Sequence, residues 1–204
     1  MRGGRQLVMA AVVVGVLVPA QASAQVAWDS PMLLPPGVGD GFGLYLADVE
    51  GGGLGVIGTW RAPGWNFGVR GGLAESRGDN LGVFAGFDVN GALTRASNDF
   101  PLDVDWLFGA GLGVADGVRL SAPVGLSVGR TFDAEDVTFT PFATPRVVLD
   151  AFLDDDDDDV DDDDDLDLEL AVDLGLDVRF TRDFLVRFSG TLGDRNGVAI
   201  GLVF

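Results

Sequence analysis

Two stretches carry spacings that enzymes use. Gly125-Leu126-Ser127-Val128-Gly129 has the G-x-S-x-G spacing that lifts a serine nucleophile onto a strand-to-helix turn, where a base, normally histidine, takes its proton. The chain contains 0 histidines, so that base is missing. Gly53-Leu54-Gly55-Val56-Ile57-Gly58 has the G-x-G-x-x-G spacing of a phosphate-binding turn. Such a turn delivers phosphate to a helix N-terminus, and the Thr59-Trp60-Arg61-Ala62-Pro63-Gly64 that follows cannot begin a helix. Both stretches are read as strands that contain glycine, and the chain is expected not to be an enzyme.

Charge is the chemistry that remains. Asp154, Asp155, Asp156, Asp157, Asp158, Asp159, Asp161, Asp162, Asp163, Asp164 and Asp165 form a run broken only by Val160. Carboxylate oxygens are ligands for hard divalent cations, but the run has no turn glycine and no D-x-D-x-D-G spacing. Two readings stay open: a solvated, self-repelling loop with no specific partner, or a weak and poorly selective Ca²⁺ or Mg²⁺ sink. No specific metal site and no resident cofactor are expected. The whole chain sets 13 basic residues, all arginine, against 32 acidic ones for a net charge of −19, which disfavours nucleic acid and anionic surfaces as partners.

The elements that must position these charges follow from one period. From Leu166 to Phe180 every even position is apolar (Leu166, Leu168, Leu170, Val172, Leu174, Leu176, Val178, Phe180), while the odd positions carry Asp, Glu, Arg, Gly or Ala. An unbroken period of two is a strand, and fifteen residues far exceeds the usual strand of about 5 to 6. A greasy face and a charged face of that length suit a strand between lipid and a polar lumen. The same alternation predicts strands over 41–49, 53–61, 65–75, 81–94, 102–115, 117–131, 137–152, 166–180, 184–193 and 196–204, and no helical period competes. The fold class is therefore all-β: a transmembrane antiparallel up-and-down β-barrel of about ten strands, with eight as the alternative if two short early hairpins are misread. Closing an even number of strands removes every sheet edge, as hydrocarbon requires.

On the face opposite the apolar one stand Arg70, Asp88, Asp103, Asp105, Arg119, Arg146, Asp150, Glu169, Asp173, Asp177, Arg179 and Arg187, which are expected to line the lumen. They allow a plug of mutual ion pairs or a narrow cation-preferring pore. The inward glycines Gly109, Gly111, Gly113, Gly125 and Gly129 speak for the pore by leaving space beside the acids. Small barrels usually fill their interiors with side chains, which speaks for the plug.

The first 24 residues read as a cleaved signal peptide: Arg2 and Arg5, an apolar core over 7–18, and the A-x-A site Ala22-Ser23-Ala24. Residues 25–40, with Pro31, Pro35 and Pro36, form an extended lead-in, and 41–204 the barrel. Zero cysteines exclude disulfides and lipid attachment at a mature N-terminal Cys.

The closing strand Gly197-Val198-Ala199-Ile200-Gly201-Leu202-Val203-Phe204 alternates back from an aromatic residue. With the signal peptide and serial amphipathic strands, it resembles the small outer-membrane β-barrel proteins of Gram-negative bacteria, the OmpA/OmpX-like and porin-like barrels. The resemblance implies location in the outer membrane, contact with its lipid, and reading of Phe204, Leu202 and Ile200 by the barrel assembly machinery. A monomer is expected. It also implies that the run 154–165 is an extracellular loop, and that Phe42, Trp60, Trp65, Trp106, Phe132, Phe180, Phe184 and Phe204 make a girdle at the periplasmic interface. Outer-membrane proteases, lipid A acyltransferases and deacylases of similar fold use histidine chemistry, so the expected role is structural or surface-interacting, with the small passive cation-preferring pore as the alternative.

Overall fold

The computed structural model describes residues 35–37, 39–49, 53–75, 81–115, 117–153 and 166–204; the expected signal peptide, most of the lead-in and the acidic run 154–165 lie outside the described residues. The period of two sends alternate side chains to opposite faces. Among the described residues it yields strands and no helix: β1 (Gly41–Val49), β2 (Gly53–Arg61), β3 (Phe67–Glu75), β4 (Leu81–Thr94), β5 (Asp103–Val114), β6 (Val118–Gly129), β7 (Phe132–Ala134), β8 (Val137–Leu153), β9 (Leu166–Thr181), β10 (Phe184–Gly193) and β11 (Gly197–Val203).

Neighbours pair antiparallel, β11 returns to β1, and β6 pairs with β8, so the sheet closes on itself. The short β7 is not an additional stave. Its pairs Phe132↔Phe139 and Asp133↔Thr138 continue the register that β6 makes with β8 through Val128↔Ala143 and Gly129↔Phe142. The ladder breaks at Arg130 and Thr131 because Pro141 opposite has no N–H to give; the Pro141 carbonyl still accepts the Arg130 N–H at 3.3 Å. The result is a closed up-and-down barrel of ten strands, with boundaries within two residues of those the alternation predicts. At the seam, Phe42 and Phe204 exchange two backbone hydrogen bonds of 2.8 Å. Gly41 begins β1 at φ +127, where a Cβ would lie 2.6 Å from the Phe204 carbonyl oxygen, so only glycine fits there.

Strands β8 and β9, of 17 and 16 residues, run past their neighbour β10. The last β9–β10 pair is Ala171↔Gly193, whereas β9 stays paired with β8 to Leu166↔Ala151. On the other side β6 stays level with β8 up to Val118↔Leu153, and in sequence the acidic run joins β8 to β9. Asp194 closes the exposed edge, its carboxylate accepting the Leu170 N–H at 2.8 Å and its own N–H donating to Leu170 O at 2.9 Å.

The sidedness is inverted relative to a water-soluble sheet. Leu44, Leu54, Leu73, Val83, Phe108, Leu120, Val124, Leu170, Leu174, Phe188 and Ile200 are exposed, while six arginines and five aspartates are buried. Arginine and aspartate are almost never fully buried in soluble cores; a closed barrel with its apolar side outward is a membrane-spanning one. The eight aromatics of the expected girdle are all exposed, and the register puts them toward the end that holds Phe204, with Phe42 beside Trp60 and Phe180 beside Phe184. Inside, one wall is apolar, formed by Tyr45, Ala47, Ile57, Ala74, Phe84, Leu107 and Ala199. The charges occupy the rest.

Candidate functional site: the barrel interior

Strand parity aims the charged residues inward, and register decides which of them meet. Nearest the acidic run, Asp150 of β8 stands opposite Ser121 of β6 and accepts its hydroxyl. The same carboxylate accepts Arg119 at 2.7 Å and Arg195, and the two arginines share Glu169, at 3.4 and 2.5 Å. The Arg119 guanidinium also lies 5.2 Å from the Phe152 ring centre, a favourable cation–π distance. One level down, Arg146 grips Asp173 through Nε at 2.9 Å and Nη2 at 3.3 Å, and Thr191 donates to the same carboxylate at 2.5 Å. Next, Arg187 makes a two-pronged contact with Asp177 at 2.6 and 2.7 Å and donates to Tyr45 Oη at 3.3 Å. Across the lumen, Asp88 accepts Arg61 and, at 3.2 Å, Arg70, while Arg61 also donates to Asn90 at 3.1 Å. At the mouth, Asp105 accepts Arg95 and, at 2.8 Å, the N–H of Gly37 in the lead-in, whose Pro35 and Pro36 are buried.

Ten of the twelve charges expected inside enter these clusters. Two do not. Asp103 is half-buried at the start of β5, where its carboxylate accepts the Ala96 N–H at 3.0 Å and shapes a turn. Arg179 is half-buried near the end of β9 and donates to the Arg182 carbonyl at 2.9 Å. Sequence reasoning missed Arg61 and Arg195. Arg61 closes the strand predicted over 53–61 and shares the parity of the buried Ile57, so it faces inward although it was not among the expected lumen charges. Arg195 lies between β10 and β11, where no alternation applies, and is nevertheless fully buried.

Gly125 and Gly129, two of the five glycines expected to leave space, face occupied positions. Inward glycines stand directly across the ladder from the largest inward side chains: Gly201 from Tyr45, Gly72 from Phe84, Gly129 and Gly175 from Phe142, and Gly125 from Arg146. A Cβ on Gly175 would sit 2.0 Å from the Phe142 ring, and one on Gly125 would meet Arg146 Cβ at 2.8 Å. Each glycine is the socket for its partner. Nor is the interior acidic: six buried arginines face five buried aspartates, with half-buried Glu169 as the sixth acid. Space remains at the end holding Phe204, as cavities of about 370 Å³ and about 210 Å³ on either side of the lead-in residues near Asp40.

The two enzyme-like spacings lie within β6 and β2. Ser127 is buried against Thr144 at 2.9 Å, and neither stretch leads into a helix.

No protein-family model matches the chain, and no curated protein does. Among solved structures, the chain is similar to one titled "De novo design of transmembrane beta-barrels" (TM-score 0.35, 13% identity, 83% of this chain and 98% of that one). It is also similar to the KdgM porin (TM-score 0.35, 7% identity, 79% of this chain and 96% of that one). The barrel assignment stands on register and sidedness.

Proposed function

We propose that this chain is a non-enzymatic outer-membrane barrel whose lumen is sealed by its own ion pairs, and which serves to hold the Asp-rich run 154–165 at the cell surface. The observation that carries the reading is the filled interior. The arginine–carboxylate clusters succeed one another from the Asp150 level to Asp105 at the mouth, and the inward glycines between them are occupied by the rings and guanidinium stem opposite. Stacked pairs in a low-dielectric interior hold each other in place and engage the charges that would otherwise attract a permeant ion there. The long β8–β9 pair supports the display role, since β9 stays paired with β8 five residues past its last pair with β10 and the acidic run follows directly from the two strand ends. Lipid, the assembly machinery acting on Phe204, Leu202 and Ile200, and loosely held Ca²⁺ or Mg²⁺ at the acidic run are the partners of this reading, and the barrel acts as a monomer.

Single-channel recording of refolded protein in planar bilayers tests it. Silence at ordinary voltages is expected. Steady cation-selective openings would replace the sealed scaffold by the passive pore.

A further inference from the structure

The larger cavity at the end holding Phe204, about 370 Å³, is lined by Arg61, Arg70, Arg179, Arg182 and Arg187. The acids around it are fewer, and most are engaged. Asp88 accepts both Arg61 and Arg70, Asp177 behind the wall holds Arg187, and Asp40 accepts the Gly64 N–H at 2.9 Å. Arg179 and Arg182 are different. Among the described residues neither bonds to a carboxylate, not even to neighbouring Asp183, and Arg179 is tied only to the Arg182 carbonyl. A second observation points to a ligand. Tyr45 lines the cavity, is buried to 2% exposure, and accepts Arg187 at its Oη, so its own hydroxyl proton is free to be donated.

We propose that this cavity is a binding site for an oxyanion, a phosphate group above all, held at the mouth by the Arg179 and Arg182 guanidinium groups and by the Tyr45 hydroxyl. Guanidinium forks match the paired oxygens of phosphate and form charge-assisted bonds about twice as strong as neutral ones. The volume is room for on the order of ten waters, too large for a monatomic anion and suited to a group with several oxygens. Behind it Asp88 already engages Arg61 and Arg70 and Asp177 engages Arg187, so the guanidinium groups left to take an anion are those at the mouth. The proposal does not depend on whether the lumen conducts. The phosphate can be free in solution or carried by a lipid headgroup, since the mouth lies at the aromatic girdle.

Equilibrium dialysis of radiolabelled inorganic phosphate against the full chain tests this, once refolded in neutral maltoside micelles and once in bilayer discs of an anionic phosphoglycerolipid. Uptake in both preparations identifies a free anion as the ligand; uptake in maltoside alone identifies the lipid phosphate as the occupant. Both outcomes uphold the site. No saturable uptake in maltoside overturns it. Arg179→Gln with Arg182→Gln is expected to weaken binding by about tenfold or more. Arg130→Gln removes an exposed arginine at the same end that does not line the cavity, and is expected to leave binding unchanged. Equal losses in the two variants would reduce the effect to general charge attraction and refute the site. Tyr45→Phe keeps the ring between Gly43 and Gly201 while deleting only the hydroxyl; a loss of about threefold or more is expected, even if the arginine double variant fails to refold.

Discussion

Alternation alone would make Asp173→Asn nearly harmless, an inward polar residue exchanged for another; the ion pair makes it expensive. Asp173 is 0% exposed and Arg146 3%. Removing the carboxylate charge takes from the buried Arg146 guanidinium the counter-charge it holds at 2.9 Å, which costs about 3 to 5 kcal/mol. Arg146→Gln strands the aspartate and is expected to cost a similar amount. The double variant leaves no orphan charge, so its cost should fall well below the sum, with a coupling energy of about 3 kcal/mol. Thr191 does not confuse the cycle, because an asparagine Oδ1 can still accept its hydroxyl, and that bond is common to both sides. Urea unfolding of the refolded barrel in lipid vesicles, followed by tryptophan fluorescence, reads these energies, since Trp60, Trp65 and Trp106 sit on the outer surface. Additive costs, or single variants each losing less than about 1 kcal/mol, would refute the reasoning that these pairs are coupled and desolvated.

Leu174→Arg next to Asp173 puts a charge on the outer face near mid-strand and is expected to cost about 2 to 4 kcal/mol in the same assay. Ser189→Ala should stay within about 0.5 kcal/mol, because the Ser189 hydroxyl is buried and makes no hydrogen bond. Gly175→Ala forces the Phe142 ring out of its socket and should lower stability by about 1 to 3 kcal/mol; in a Phe142→Ala background the same change should be close to neutral, and an unchanged penalty there would place the strain elsewhere. Deleting Phe204 is expected to lower outer-membrane yield while leaving export intact, measured by fractionating cells into periplasm and membrane. Finally, the run 154–165 should be cut by protease added to intact cells, and titration calorimetry should show weak Ca²⁺ heats that vanish when the run is deleted.

Much of this architecture was legible because membrane barrels repeat one simple rule. Residues such as Leu168, Leu170 and Val172 alternate with acids or small residues so regularly that face and strand boundaries follow together. Partners were less legible. That Asp150 gathers Arg119, Arg195 and Glu169 depends on register between three strands and on a connection, and no local pattern encodes it. The inward glycines show the limit most clearly. In sequence Gly125 and Gly129 read as free space, whereas the cross-strand pairs Gly125↔Arg146 and Gly129↔Phe142 fill that space. Arg61 could have been found, since it ends the predicted strand 53–61 with the same parity as Ile57.

The barrel is greasy outside and closed inside, and the absence of native cysteine allows both halves to be measured at once. Single cysteines placed at Leu174 and Phe188, facing out, and at Ala171 and Ser189, facing in, can be labelled and probed in vesicles with a nitroxide lipid and with a water-soluble thiol reagent. Quenching by the lipid at Leu174 and Phe188, with Ala171 and Ser189 protected from both reagents, is the expected pattern. Rapid labelling of Ala171 and Ser189 from water would mean an open lumen, and their quenching by lipid would mean that the register itself is wrong.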